Sequence, residues 1–432
     1  MARPLPLANL TPRVFYGWFV VAGTFVILFL GFGAAYSFAS FFPALRDSFH
    51  ASRGDTALVF SIAGFLYFSL GAISGPLADR IGPRRVALFG VVTMAAGLVL
   101  ASFAQELWQI YVTYSLAVGV GLGAAYVPAV SAIQRWFVRR RGLASGVAVS
   151  GIGLGTLCMP LITTWIIQAA GWERAYLVLG LAMAAGGIPA ALCVEHSPGR
   201  RALGPDGDPP PPQRGPSAAA VAGFTAGAAI RTRTFILFYS AAVASGLALF
   251  IPFAHLVPYA KDHGLSVTQG ALLVGCIGIG STVGRLATGP VADRFGRRQS
   301  LAVAFGAMAV DMCFWLVAKD LWSLTLFALV FGAAYGGYVA LAPPLIADFF
   351  GARHVGSILG ILYTGPAFGA LIGPTLAGAI YDLRDSYALP IAFGAATSLL
   401  ATVLVLGLRP PGDGRETGGR EQESAHPRGA AG

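Results

Sequence analysis

The chain has 432 residues, of which 56% are hydrophobic and only 11% are Asp, Glu, Lys or Arg, and its mean hydropathy is +0.70. Soluble proteins carry roughly 25% charged residues, so a soluble fold is excluded and apolar side chains must face lipid. The net charge is +10, but the basic residues sit in short loops beside apolar segments, which argues against a nucleic-acid partner.

Cys158, Cys193, Cys276 and Cys313 lie in or near apolar segments. They have neither metal-ligand spacing nor a disulfide framework and read as small buried side chains. No metal or cofactor is expected. No nucleophile–base pair is evident, so an enzyme is not expected either. The first apolar stretch is about twenty-five residues long, too long for a signal peptide, and reads as a first transmembrane helix.

In chain order the apolar segments predict twelve transmembrane helices at 16–42, 55–78, 84–103, 107–132, 142–168, 173–194, 235–259, 267–290, 299–318, 322–347, 354–380 and 387–408. About 20 residues cross the hydrocarbon, and longer segments tilt or run past the interface. Residues 195–234 read as a cytoplasmic linker, because Gly204 to Asp208 runs into Pro209 to Pro212, a composition that cannot build a core. Within it, the Ala/Gly-rich stretch 218–230 is compatible with a short surface helix. The tail 409–432 is rich in Gly, Glu and Arg and is expected to be disordered.

Alternate loops differ in charge. One set holds Arg80, Arg84, Arg85, Arg139 to Arg141, Arg200, Arg201, Arg214, Arg231, Arg233, Arg294, Arg297, Arg298 and Arg353. The other is nearly balanced, with Arg46 beside Asp47, Glu173 beside Arg174, Lys261 beside Asp262, Lys319 beside Asp320, and Arg384 between Asp382 and Asp385. Cytoplasmic loops carry the excess of Lys and Arg. The pattern therefore predicts a multi-pass protein of the inner (plasma) membrane with both termini in the cytoplasm. Trp18, Trp136 and Trp172 stand near span ends and read as interface anchors.

The chain repeats itself. Gly75-Pro76-Leu77-Ala78-Asp79-Arg80-Ile81-Gly82 returns 214 positions later as Gly289-Pro290-Val291-Ala292-Asp293-Arg294-Phe295-Gly296. Gly142 and Gly356, and Gly146 and Gly360, keep the same offset. Two six-helix halves, 1–194 and 235–408, follow, in the same orientation, as parallel repeats require. In this loop motif Asp79 and Asp293 can accept hydrogen bonds from a helix N-terminus or an arginine. With Arg80, Arg84, Arg294 and Arg298 they are the candidates for a cytoplasmic latch between the halves, and they also serve as topogenic charges. Asp348, beside Arg353, is expected to join them. Glycine-rich runs in spans four, five and eight allow close helix approach.

Ionisable residues at bilayer depth are costly and suggest function. Arg285 in span eight lies eight residues before Asp293, roughly 12 Å along a helix. Its guanidinium stays charged and suits a carboxylate. No acid lies one turn away, since Ser281 and Gly289 occupy those places. An anionic substrate would supply the missing charge, although Asp311 in span nine could do so instead. His255 in span seven can carry a proton, donate a hydrogen bond to substrate or serve structure, and the residues alone leave the three open. Tyr36, Tyr67, Tyr114, Tyr126, Tyr335, Tyr338 and Tyr363 are candidates to line a cavity.

The two Gly-Pro-x-Ala-Asp-Arg-x-Gly loops resemble the signature of the major facilitator superfamily, an all-α membrane fold of twelve transmembrane helices. Within it the chain from Tyr16 to Leu408 is similar to the monocarboxylate transporter group, including bacterial lactate-type carriers, and to the oxalate/formate exchangers. Tyr16-Gly17-Trp18, Arg135-Trp136-Phe137, Arg141 to Gly146 and Gly171-Trp172-Glu173-Arg174 carry this likeness. The resemblance implies proton-coupled symport of a small monocarboxylate such as lactate or pyruvate by alternating access. Its partners would be the anion, a proton and the lipid bilayer, and it would work as a monomer. Arg285 matches the family's span-eight substrate arginine, His255 a span-seven histidine of bacterial carriers, and Tyr126 their span-four tyrosine. Ser281, Tyr335 and Tyr338 complete the expected substrate site. Ser281 stands where mammalian members place a proton-carrying acid, and spans one to six hold no lysine, so that relay does not transfer intact. The exchangers use a second cation in span eleven, and residues 358–381 have none. Carboxylate exchange, or export of another organic anion, is the alternative reading.

Overall fold

The computed structural model describes residues 15–137, 141–201, 203–208, 224–351 and 355–411. The described residues contain no β-strand. The long helices are α1 (Gly17–Phe49), α2 (Arg53–Ile81), α3 (Pro83–Ala101), α4 (Leu107–Ile133), α5 (Arg141–Ala170) and α6 (Trp172–Cys193), then α7 (Arg233–Asp262), α8 (Val267–Phe295), α9 (Arg297–Trp315), α10 (Leu321–Phe350), α11 (Val355–Arg384) and α12 (Ala388–Leu406). Eleven are long and apolar enough to cross a membrane. The twelfth, α9, is less apolar because it carries Arg297, Arg298 and Asp311, yet it packs along α10 and α12 as a full member of the bundle. The predicted count therefore holds.

Local chemistry sets the helix ends, and it repeats between the halves. Ser52 caps α2 by accepting from the backbone N–H of Asp55, and Ser266, 214 positions later, caps α8 by accepting from that of Gln269. Gly82 ends α2 at φ 94°, ψ 138°, and Gly296 ends α8 at φ 91°, ψ 139°. Both turns need positive φ, which glycine adopts without a Cβ clash.

Some boundaries differ from expectation. α1 runs on to Phe49 and is interrupted at Ser37, and α7 is interrupted at Phe250 in the matching place. Among the described residues of the linker, Ala226–Ala229 forms the one turn of α-helix. Residues 209–223 and 412–432, with Arg139, Arg140 and Arg353, lie outside the described residues. Trp136 is fully buried and Trp172 nearly so, so neither anchors an interface. Trp136 donates to the Glu195 carbonyl and Trp172 to Ser48 Oγ. The exposed tryptophans are Trp108, Trp165 and Trp322.

The halves meet chiefly along two helix pairs, α2 with α11 and α5 with α8, and α1 also packs against α7. Lipid gives helices little hydrophobic reason to associate, so small residues and close backbone contact do the joining. At Gly278 of α8 an added Cβ would lie 2.8 Å from the carbonyl oxygen of Gly153 in α5. Eleven residues further on, at Gly289, it would meet nothing within 4 Å. The α5–α8 contact is therefore tight toward the end remote from the arginine-rich loops and absent at Gly289. Those two ends are called the far end and the basic end below.

Candidate functional site: a ring-lined cavity holding one cation

Between the halves, near their middle, lies a small cavity of about 30 Å³. Phe32, Phe68, Tyr126 and Ile152 line it from the first half, and Leu249, Arg285, Tyr335, Tyr338, Val339, Tyr363 and Pro366 from the second. Arg285 is the one charged residue in this lining. Its guanidinium carbon sits 5.9 Å from the centre of the Tyr335 ring, a cation–π position. Its Nε is buried and has no hydrogen-bond partner, and no carboxylate among the described residues pairs with it. The Tyr338 hydroxyl is likewise buried and without a partner.

Arg285, Tyr126, Tyr335 and Tyr338, four of the residues singled out from the sequence, thus converge on one cavity. Ser281 lines a smaller adjoining space that shares Tyr335, and its Oγ has no partner. Tyr363 lines the main cavity as well, whereas Tyr114 bonds to the carbonyls of Ala34 and Ala35 and packs against Tyr176. Asp311 does not meet Arg285. It lines a groove on the exposed face of α9 and α10 with Val303, Val310 and Leu326. Phe32, Phe68, Ile152, Leu249 and Val339 could not be picked out beforehand, because lipid-facing and cavity-facing positions are equally apolar.

The model of the Major Facilitator Superfamily matches residues 24–319 and 238–430. The chain belongs to that superfamily. It is a transporter by family and not an enzyme. Among curated proteins it is similar to monocarboxylate transporter 11 of Homo sapiens, 28% identical over 94% of this chain and 87% of the relative. It is also similar to monocarboxylate transporter 2 of Homo sapiens, 26% identical over 86% of this chain and 81% of that relative. A solved structure of the nucleoside transporter NupG superposes with a TM-score of 0.69 at 14% identity, covering 90% of this chain and 99% of that one. That likeness concerns the fold alone.

In this superfamily fold the cavity is closed at the far end in two layers. The first is aromatic. Tyr36 of α1 stacks on Phe253 of α7 at 4.4 Å, and its hydroxyl lies 3.3 Å from that of Tyr335. The second is polar and holds His255, which therefore does not line the Arg285 cavity. Arg53, at the start of α2, donates to both carboxylate oxygens of Asp262 at 2.7 Å each. It also donates to the Tyr387 hydroxyl at 2.7 Å and lies 3.7 Å over the Tyr381 ring. Asp382 of α11 accepts from the backbone N–H groups of Arg53 and Gly54, both at 2.9 Å. Lys261 and Asp47, 3.5 Å apart, add a pair at the rim. Every one of these contacts joins one half to the other. A signal for Arg53 existed in the sequence: a cation in the first turn of a helix opposes the helix dipole and calls for an anion.

At the basic end the latch candidates fall differently. Arg84 donates to Glu195 at 2.8 Å, and Arg298 to the Leu408 carbonyl at 2.8 Å, each inside its own half. Arg297 pairs with Asp348 at 2.6 Å. The hydrogen bond from Arg201 holds the Glu195 carboxyl below the usual glutamate range, with Arg84 adding to the effect. Arg80 and Arg294 are exposed, and the side chains of Asp79 and Asp293 lie outside the described residues. Among the described residues, both ion pairs that join the halves lie at the far end.

Proposed function

We propose that this protein carries a small monocarboxylate of the lactate or pyruvate kind, together with a proton, across the plasma membrane by alternating access. The observation that carries this reading is Arg285, a guanidinium in a ring-lined cavity between the halves with no acid among the described residues to neutralise it. A half-buried cation at this depth without a counter-charge is costly, and a bound carboxylate removes that cost. Similarity to monocarboxylate transporters over most of the chain supports the same substrate class.

One cation suits one carboxylate. Tyr338 and Tyr126 offer hydroxyls for the substrate's second oxygen, and Phe32, Phe68, Leu249 and Val339 suit a short carbon body. Neutralising Arg285 lowers the cost of closing a dry cavity around it, which ties substrate binding to the movement of the halves. The arginine-rich loops support a cytoplasmic basic end. On that reading the far end is extracellular, and the described state is sealed outside. Ser281 cannot titrate, so the proton does not travel at that position.

The test is uptake of labelled lactate, pyruvate, acetate and oxalate into proteoliposomes with a lumenal pH dye and an imposed proton gradient. Lactate or pyruvate uptake with matching lumenal acidification is expected. Uptake that ignores the gradient and requires a carboxylate already inside would establish exchange instead.

A further inference from the structure

His255 is fully buried and both ring nitrogens are engaged, yet it stands outside the substrate cavity. Nε2 lies 2.8 Å from the Pro374 carbonyl oxygen, which can only accept, so Nε2 carries the hydrogen. Nδ1, 3.0 Å from the Tyr387 hydroxyl, is then the acceptor of the Tyr387 O–H. This leaves the Tyr387 oxygen free to accept from Arg53 Nη1 at 2.7 Å. With these roles the lock at the far end is completed by a neutral histidine.

We infer that His255 is the proton-responsive element of this lock: a second proton on its ring loosens Arg53 from Tyr387 and lets the far end open. The inference uses only the alternating-access part of the proposed function and holds whichever anion is carried.

The groups facing the ring are uncharged Phe42 from α1, Arg53 from α2, Asp262 on its own helix, Asp382 from α11 and Tyr387 ahead of α12. A protonated ring donates from both nitrogens. Tyr387 then loses the acceptor for its hydrogen, and its oxygen faces two cationic donors. Arg53 and His255 become like charges bridged by one hydroxyl. Neither acid can offset this without giving something up. Asp262 is held by both arms of Arg53, and Asp382 by two backbone N–H groups. In an open far end, water solvates the added charge. Protons thus bind the open form better than the closed one, and by linkage external acid opens the far end. Tyr387 and Arg53 act as positioning residues, and His255 titrates.

The experiment uses the full-length protein in lipid nanodiscs without substrate. Spin labels are placed at His50→Cys and Leu383→Cys, exposed positions on the two halves, after replacing the native cysteines. Distance distributions are recorded from pH 8 to pH 5.5. In the otherwise unchanged protein the longer-distance population should rise on acidification, by no more than about tenfold per pH unit, the limit for a single proton. His255→Asn and Tyr387→Phe should each flatten that response, with His255→Gln as a second non-titrating variant should the first fail to fold. A flat response in the unchanged histidine form, or an undiminished one in His255→Asn or His255→Gln, would overturn the inference. Proton coupling of transport is read separately, from lumenal pH, so failure of that reading leaves this result standing.

Discussion

Arg84 and Arg298 occupy the same place in the two halves, 214 positions apart, and do the same work. Each ties the start of its half's third helix to the end of its sixth, Arg84 through the Glu195 carboxylate and Arg298 through the Leu408 carbonyl. These two contacts lie within the halves. The contacts that join the halves are elsewhere, at Arg53 and its partners. The proposed alternating access calls for both kinds, ties within each half and breakable ones between them.

Replacing Arg285 with Gln removes the one cation of the cavity. Uptake should fall by about 100-fold or more, as expected for a lost charge-assisted pair of roughly 3 kcal/mol. The amount of protein in the membrane should not change, because no ion pair among the described residues is broken. Initial uptake rates normalised to surface-labelled protein check this, and unchanged uptake would sink the substrate assignment.

Tyr338→Phe deletes a hydroxyl that has no partner in the empty cavity. Melting temperature should stay the same or rise, since an unsatisfied buried group is removed. If the hydroxyl bonds a carboxylate, KM should rise about tenfold, the equivalent of ~1.4 kcal/mol. A melting curve beside a KM determination separates the two roles.

Gly278→Ala places a methyl group 2.8 Å from the Gly153 carbonyl oxygen, where α5 and α8 touch across the halves. The backbones must separate, which penalises the form closed at the far end. Labelling from outside, at a cysteine placed in the far-end cleft, should speed up and turnover should fall. Gly289→Ala meets open space and should leave labelling unchanged, which makes it the internal control.

Glu195 links Arg84 and Arg201 at the basic end of the first half. Its folded-state pKa is lowered, first by the hydrogen bond from Arg201. Its contribution is therefore present above the unfolded glutamate value of about 4.3 and is lost as pH falls through the lowered folded value. Both arginines are partly exposed, 42% and 43%, so the loss should be only about 1 kcal/mol. Thermal melting of Glu195→Gln against the unchanged chain should show a gap at neutral pH that narrows on acidification below about pH 4.3.

Much of the architecture could be read from the residues. Hydropathy marked twelve segments, and the doubled motif marked the halves; Gly82 and Gly296 then adopt nearly the same dihedrals. Arg285 stood out because charged residues are rare at that depth. The tryptophans misled, since Trp136 and Trp172 are buried against Glu195 and Ser48. Nothing in a span-end position distinguishes a lipid anchor from a packed ring.

Information held along one stretch of chain was enough for helix number, the repeat and the cavity cation. Hydropathy, capping serines and positive-φ glycines act within a turn or two, so they can be read locally. Meetings between distant segments needed the folded bundle. Arg53 reaches Asp262 across 209 positions and its backbone reaches Asp382 across 329. The same packing moved His255 from an expected substrate contact to the lock. In a membrane both the lipid face and the protein face of a helix are apolar, so no periodic pattern says which side chains will meet. Only helix packing brings them together.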